Sequence, residues 1–224
     1  QEVDELNTSV KRVDECVGQI LSALNQNNFE ESTIVIYTTD HGISFPGAKA
    51  TLFDPGIEIS LIIRGPNELK ERKSIKGLVS NIDILPTLLE LNEIKIPSQI
   101  QGKSLLPLVR NEAKEIHDKI FLELTYHVAY DPMRGIRTNE FKYIRSFEKR
   151  PWWLPPHVDY GSCSKEWYRQ HQPELFKMPR PPELLYDLKK DPLEKNNLSN
   201  DNAYAQVLVD FRIQLEKWMK STDD

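Results

Sequence analysis

A carboxylate and an imidazole stand side by side in the stretch Thr39-Asp40-His41-Gly42. This stretch directly follows residues 33–38, a short β-branched run that is typical of a strand buried on both faces. In an open α/β sheet, ligands bind beyond the carboxyl ends of the strands. Asp40 would supply a hard anionic oxygen and His41 a neutral nitrogen, so the pair predicts half of a metal site. The alternative is a turn that binds no ion.

Three further cationic or titratable side chains are candidates for contact with a ligand. Lys49 follows His41 by eight residues, and beside a metal site its ammonium would hold an anionic group as a point charge. His127 follows a predicted strand and is expected at the rim of a site, while Arg134 is expected to pair with an anion. The alternatives are a solvated lysine, a packing histidine and a structural salt bridge. His117 is interpreted as a surface residue.

The composition excludes several classes of protein. Of 224 residues, 39% are hydrophobic and 28% are charged, which is ordinary for a globular chain. Twenty-nine basic residues against 34 acidic ones give a net charge of −5, so nucleic acid is not an expected partner. No apolar run approaches the roughly 20 residues that span a bilayer. Cys16 and Cys163 are too few and too far apart for a disulfide framework.

The first half of the chain has the alternation of an α/β sheet with helices on both faces. Apolar residues from Val3 to Leu24 recur at steps of three and four, which predicts an amphipathic helix. Residues 33–38 and 59–63 are predicted as neighbouring buried strands, and the apolar stripe of the helix is expected to pack on them. A second helix is predicted near residues 84–91, with Asp83 as its N-cap.

The pattern changes after about residue 112. Short strands are predicted at residues 120–124, 133–138, 141–145 and 183–188, and an amphipathic helix closes the chain. We therefore expect two units: residues 1–112 belong to the α/β domain, and residues 113–224 form a small antiparallel α+β subdomain. Within the second unit, residues 149–182 are predicted as a loop rich in proline and aromatic residues.

An ordered set of segments resembles the sulfatases of the alkaline-phosphatase superfamily. The resemblance covers nearly the whole chain, in the right order. Its segments are TIVIYTTDHG (33–42), LFDPGIEI (52–59), SNIDILPTLL (80–89), GKSLLP (102–107) and LYDL (185–188). Two more, FPGAK (45–49) and YDPMR (130–134), are similar to the heparan N-sulfatase (sulfamidase) branch.

The resemblance implies roles for the candidate residues. Asp40 and His41 match the second pair of metal-site residues, and Lys49 matches the basic residue that faces the sulfate. The ammonium would stabilise the oxyanion that builds up on the transferring group. Calcium is the usual sulfatase ion, although an imidazole ligand suits manganese or zinc better. His127 and Arg134 would then contact the substrate, with Arg134 on an anionic sugar group.

One departure from the family is large. Sulfatases carry a formylglycine nucleophile, made from Cys or Ser in a Cys/Ser-x-Pro-x-Arg motif, together with a first Asp-Asp metal pair. Neither cysteine, Cys16 or Cys163, lies in that motif. We therefore expect the chain to be the C-terminal portion of a sulfatase. The nucleophile would lie in the missing N-terminal part of the same protein, and the chain alone would be inactive.

The expected function of the intact protein is metal-dependent hydrolysis of sulfate esters or N-sulfate groups. The substrate would be a sulfated small molecule or a glycan. One alternative is a phosphonate or phosphate ester hydrolase of the same superfamily. Another is a non-catalytic remnant that binds sulfated glycans. The compartment is not evident from the sequence, and the resemblance implies a periplasmic, secreted or lysosomal protein.

Overall fold

Helices and strands are described for residues 2–153 and 162–224 in a computed structural model. The helices are α1 Glu2–Gln26, α2 Asp54–Ile57, α3 Ile84–Leu91, α4 Leu106–Val109, α5 Cys163–His171 and α6 Ala205–Thr222. The strands are β1 Val35–Thr38, β2 Leu61–Arg64, β3 Lys119–Tyr126, β4 Tyr130–Thr138, β5 Phe141–Ser146 and β6 Glu183–Asp187. Among these helices, none is both long enough and apolar enough to cross a membrane.

β1 and β2 are neighbours, as the sequence predicts. They pair antiparallel, with Tyr37 opposite Ile62. The prediction that both faces of these strands are buried is wrong, since Ile62 is 62% exposed. A continuous apolar run indicates that the side chains on both faces of a strand are suited to burial. They are buried only where another element packs over the strand.

α1 forms where the apolar periodicity predicts it, but its stripe is not packed into a core. No residue of α1 is buried. Val3, Val10 and Ile20 are more than half exposed, and Leu21 and Leu24 are half-buried. The predicted packing of the stripe onto the sheet is therefore at most partial within the described residues.

α3 begins at Ile84 with Asp83 as its N-cap residue, as predicted. Asp83 is also the last residue of a 3-10 turn, Asn81–Asp83, and its side chain makes no capping hydrogen bond to the first turn of α3. The Asp83 side chain reaches back and accepts a hydrogen bond of 2.7 Å from the Ser80 N–H. This is the reciprocal half of a capping box, in which a carboxylate satisfies an N–H that the helix leaves unpaired.

The predicted antiparallel α+β unit is present. Its sheet has the order β3-β4-β5-β6, and all neighbours are antiparallel. The predicted hairpin at residues 139–140 joins β4 to β5, with Arg137 opposite Lys142. Side chains alternate between two faces of this sheet. We call the side packed by α6 the helix face, and the side packed by Leu52 and Phe53 the loop face.

Each face of the sheet has its own core. On the helix face, α6 uses the predicted stripe, with Phe211 and Leu215 buried and Trp218 stacked 4.8 Å from Phe121. On the loop face, Leu52 is buried against a set of strand residues. That set is Met133, Ile144, Leu184 and Tyr186. The segment that contains Lys49 thus ends in a core residue of the C-terminal sheet.

Residues 149–182 contain more regular structure than the predicted loop. The helix α5 and a 3-10 turn, Pro173–Phe176, lie within this range, and residues 154–161 fall outside the described part of the chain. Trp153 packs edge-on against Tyr168 of α5, with ring centroids 4.6 Å apart. Aromatic contacts of this kind stabilise packed segments, so the described part of the range is a packed arm.

Candidate active site

One cleft of about 330 Å³ contains four of the five predicted site residues. Asp40, His41 and Lys49 line it from the first part of the chain, and His127 lines it from the turn after β3. Residues 79–81, residues 120–124 of β3 and several residues between 50 and 59 also line it. Residues that are far apart in sequence therefore meet at the end of β1, where an α/β sheet is expected to bind its ligand.

Asp40 and His41 present a nitrogen and an oxygen to the same point. His41 Nδ1 lies 2.7 Å from the Gly42 carbonyl oxygen. Because a carbonyl oxygen only accepts, Nδ1 carries the proton in the neutral ring and Nε2 keeps its lone pair. Nε2 is 3.6 Å from Asp40 Oδ1. Two ligands held at about 2.1–2.4 Å by one divalent ion lie at about this separation, so the pair fits a metal ion.

The pair is only part of a coordination sphere. Within residues 2–153 and 162–224 no group of three or more His, Cys, Asp and Glu side chains could hold an ion. Asp40 is also open, with 87% of its side chain exposed, and 39% of the His41 side chain is exposed. Divalent ions take at least four ligands, so Asp40 and His41 would hold an ion together with further groups.

The loop that carries Lys49 is tightly folded. The Lys49 N–H donates to the Ile43 carbonyl oxygen at 3.1 Å, which closes residues 43–49 into a compact turn. Gly47 and Ala50 have positive φ angles of 79° and 61°. The left-handed region costs an alanine about 1–2 kcal/mol, so surrounding contacts must hold Ala50 there. Such strain is common at functional loops.

The turn α2 lies directly beneath this loop. The Gly42 N–H donates to the Gly56 carbonyl oxygen at 2.9 Å. A Cβ on Gly42 would lie 1.9 Å from the Pro55 carbonyl oxygen, and one on Gly56 would lie 2.3 Å from that of Ala48. These close approaches require glycine. As a result, α2 supports both the His41 end and the Lys49 end of the site.

Arg134 lies away from this cleft. Its side chain is 9% exposed and forms an ion pair with Asp224, which lies two residues beyond the end of α6. Its Nη1 also donates to the carbonyl oxygens of Leu124 and Met133 at 3.0 and 2.9 Å. The guanidinium is on the helix face, because it meets a residue of the α6 end. These contacts are those of a structural salt bridge, the alternative to an anion-binding role.

His117 is not the surface residue that the sequence indicates. Its side chain is 11% exposed, and Nε2 lies 2.9 Å from Asp83 Oδ2. Asp83 is fully buried and also accepts the Lys103 N–H at 2.8 Å. A buried carboxylate needs several donors, and sequence reasoning missed the histidine that supplies one.

Sequence reasoning also missed a buried ionic cluster behind the site. We call Asp54, Arg137, Lys142 and Glu194 the ionic cluster. The Lys142 side chain is 0% exposed and the Glu194 side chain is 1% exposed. Lysine is ordinarily a surface residue, and the ionic partners of Lys142 lie 52 or more residues away in sequence. The local signal in the sequence was limited to the Asp-Pro-Gly turn at residues 54–56.

Two family models match the chain. The C-terminal model of N-sulphoglucosamine sulphohydrolase matches residues 44–155, which is half of the 224 residues. The model of type I phosphodiesterase and nucleotide pyrophosphatase matches residues 2–54. Together they cover the cleft: the second includes Asp40 and His41, the first includes His127, and Lys49 lies in both.

Curated relatives and solved structures agree with these models. An ulvan-active sulfatase of Formosa agariphila is 31% identical, over 98% of this chain and 38% of the relative. Human N-sulphoglucosamine sulphohydrolase is 29% identical, over 97% of this chain and 47% of the relative. A protein solved with its substrate D-glucosamine-2-N,6-O-disulfate matches at a TM-score of 0.67 and 26% identity, over 94% and 39% of the two chains.

The resemblance found in the sequence and the α/β fold class are thereby confirmed. The chain spans less than half the length of these curated relatives. A family model over half of its residues, and a fold shared with solved sulfatases, identify it nonetheless. The chain belongs to the N-sulphoglucosamine sulphohydrolase C-terminal family, within the sulfatases of the alkaline-phosphatase-like fold.

Proposed function

We propose that the protein of which this chain forms part hydrolyses sulfate esters or N-sulfate groups on sugars. The observation that carries the proposal is the meeting of Asp40, His41, Lys49 and His127 in one cleft of a sulfatase-family chain. The relatives support a sugar substrate, because one acts on ulvan by name and another was solved with a sulfated glucosamine. The same names favour a sulfatase over the phosphonate or phosphate ester hydrolase.

Asp40 and His41 would hold a divalent metal ion at the floor of the cleft. Sulfatases of this superfamily are metal-dependent. The Asp40 carboxylate and the His41 Nε2 lone pair lie at a separation that fits one ion. We propose calcium, with manganese and zinc as the alternatives that an imidazole ligand favours. A bound ion would supply positive charge to the sulfate oxygens.

Lys49 would supply the second positive charge at the sulfate. Its backbone is fixed by the hydrogen bond to Ile43 and by the support of α2, so the lysine is placed on the wall of the cleft before substrate binds. A charge that is already in place needs no reorganisation when negative charge grows on the transferring group. Its place on the cleft wall beside Asp40 and His41 supports this role.

His127 would contact the sugar or the leaving group at the rim. It follows the irregular end of β3, where the register shifts between Leu124 and Tyr126. A histidine there can donate or accept a proton near neutral pH. The nucleophile and the remaining metal ligands would come from the preceding part of the same protein, which we propose as the partner of this chain.

The test is release of inorganic sulfate by the full-length protein. Glucosamine 6-sulfate and glucosamine N-sulfate are the first substrates to assay, with glucosamine 6-phosphate as the matched substrate control. The proposal expects sulfate release from at least one sulfated sugar and much slower release of phosphate. Faster hydrolysis of the phosphate ester would instead favour the phosphonate or phosphate ester hydrolase. Binding of sulfated sugars without any hydrolysis would favour the non-catalytic alternative.

A further inference from the structure

We propose that Lys142 and Glu194 are positioning residues for the site, and that they act on Lys49 and His41 through Asp54. The inference deepens the proposed function, and its kinetic test rests on that function. Neither Lys142 nor Glu194 lines the cleft, so neither is assigned a contact with substrate.

The ionic cluster joins three separate parts of the chain. Lys142, on β5, forms ion pairs with Asp54 and with Glu194, whose Oε1 lies 2.7 Å from Nζ. Glu194 lies in the turn after β6, and its Oε2 accepts the Asp54 backbone N–H at 2.6 Å. Arg137, on β4, adds a contact of 3.0 Å to Asp54 Oδ2. Asp54 is thus held by its backbone and by its side chain.

The charges of the ionic cluster are balanced, and they are largely shielded from water. Two cations face two carboxylates, and Lys142 and Glu194 are almost completely buried. Burial raises the pKa of Glu194, and the positive charge of Lys142 opposes that rise. Burial would also raise the pKa of Asp54, but hydrogen bonds from Arg137 and the charge of Lys142 outweigh it and leave that pKa lowered. Buried pairs of this kind tolerate little displacement, because removing one partner leaves an uncompensated charge.

Asp54 passes this constraint to the site through α2. It is the first residue of α2, the turn whose Gly56 carbonyl accepts the Gly42 N–H. The Ala48 carbonyl oxygen packs against Gly56, too close for any Cβ there. Gly42 follows His41, and Ala48 precedes Lys49. A shift of Asp54 would therefore move both ends of the site together.

The alternation of side chains along β4 and β5 supports the same connection between the ionic cluster and the site. Arg137 on β4 and Lys142 on β5 point to the loop face, where Leu52 and Phe53 pack. The two basic residues are the paired residues nearest the turn of the β4–β5 hairpin, opposite each other in register. A rigid hairpin thus presents two cations to one carboxylate of the loop segment. The C-terminal sheet would therefore support residues 41–49, which carry His41 and Lys49.

Hydrogen–deuterium exchange on the full-length protein tests the inference without any need for turnover. In Glu194→Gln the amide oxygen can still accept the Asp54 N–H, but the charge that balances Lys142 is lost. Amides of residues 42–52 should exchange at least severalfold faster than in the wild type. The matched control is Glu183→Gln, which removes the charge of another paired carboxylate: Glu183, on β6, pairs with Arg212 on the helix face. It should leave residues 42–52 unchanged.

Unchanged exchange at residues 42–52 in a folded Glu194→Gln variant would overturn the inference. An equal increase at residues 42–52 in both variants would also overturn it, because the effect would then be a general loss of stability. If Glu194→Gln does not fold, Glu194→Asp provides the same test, since it keeps the charge and retracts it by one methylene. Faster exchange at residues 42–52 in Glu194→Asp is the expected result, and unchanged exchange contradicts the inference.

Steady-state kinetics of sulfate release separates a positioning role from a role in substrate binding. If the full-length protein releases sulfate, Glu194→Gln should lower kcat by about tenfold or more while KM changes little, since no substrate contact is removed. Lys142→Arg keeps the positive charge and should recover part of the rate in comparison with Lys142→Met. A protein that releases no sulfate at all would contradict the proposed function but leave the exchange result valid. A fall in kcat/KM that arises from KM alone would contradict the positioning role.

Discussion

His41 Nε2 lies 3.6 Å from Asp40 Oδ1, and the Gly42 carbonyl oxygen holds the opposite ring nitrogen at 2.7 Å. The main chain of the site loop therefore selects the tautomer whose free lone pair is on the carboxylate side. Two neighbouring residues of one turn offer unlike ligand atoms to one point. This arrangement makes metal binding the property to test first.

In the full-length protein, Asp40→Ala should abolish stoichiometric metal binding, because it removes an anionic ligand. His41→Asn should be milder, since an amide oxygen can replace the imidazole and suits calcium better than nitrogen does. Metal content by elemental analysis after gel filtration measures both effects. Full metal occupancy in a folded Asp40→Ala protein would contradict the assignment of Asp40.

Lys49→Ala should lower the rate of sulfate release by a factor on the order of 10²–10³, with the metal still bound, because it removes a charge that faces the developing oxyanion. Lys49→Arg should recover part of the rate, since a guanidinium can still bind sulfate oxygens. Steady-state kinetics beside metal analysis separates this role from that of Asp40. The exposed Lys217 of α6 provides the control, and Lys217→Ala should have the wild-type rate. Wild-type activity in Lys49→Ala would remove the functional role of the loop.

The 224-residue chain on its own should release no sulfate from any sulfated sugar. It contains no Cys/Ser-x-Pro-x-Arg motif, and its described residues offer two metal ligands rather than a complete set. The assay uses purified chain at high concentration, with the full-length protein as the positive control. Hydrolysis by the chain alone that is abolished by Asp40→Ala would show that a nucleophile is present in it.

Arg134→Met should cost stability and not catalysis. Its guanidinium forms an ion pair with Asp224 and donates to two carbonyl oxygens on the helix face. Loss of these bonds should lower the free energy of unfolding by about 1–3 kcal/mol. Urea denaturation measures the loss, and sulfate release below the unfolding transition should stay close to the wild-type value. A loss of activity with unchanged stability would return Arg134 to the substrate site.

Acid should unfold the protein partly through Glu183. The Arg212 hydrogen bonds lower the pKa of Glu183 below its ordinary value of 4.5, although burial opposes them. A carboxylate with a lowered pKa in the folded state stabilises that state above its unfolded pKa, and the contribution is lost as the pH falls through the folded pKa. The Tm should therefore fall as the pH drops below about 4.5. Glu183→Gln should have a lower Tm at pH 7 and a shallower fall below pH 4.5; an identical slope in both proteins would contradict this.

Local periodicity predicted the α+β unit well, because its strands bury alternate residues and α6 buries every third or fourth residue. The elements that cover these residues belong to the same chain. Phe211 and Leu215 of the predicted stripe are core residues. The same reasoning overestimated the burial of β2, where Ile62 is 62% exposed. Burial of a two-stranded ladder depends on elements that pack over it, and an apolar pattern does not reveal whether they are there.

For the site, residue types beside the end of β1 predicted Asp40, His41 and Lys49, and the cleft brings His127 to them. The sequence left two roles open for Arg134, an anion contact and a structural salt bridge, because the face of β4 on which it lies was unknown. Arg137, three positions later, points to the loop face and contacts Asp54. The ionic cluster was not predictable from one sequence, because Lys142 and its partner Glu194 are 52 residues apart and each is ordinarily a surface residue type.

Anomalous X-ray diffraction can locate both the metal ion and the sulfate at the site. Crystals of the full-length protein are soaked with manganese and inorganic sulfate, and the anomalous peaks locate the ion and the sulfur. We predict an ion about 2.0–2.5 Å from an Asp40 carboxylate oxygen and from His41 Nε2. We also predict that the sulfate oxygens lie about 2.7–3.2 Å from Lys49 Nζ. An ion bound elsewhere, or a sulfate that Lys49 does not contact, would show that Asp40, His41 and Lys49 do not form the site.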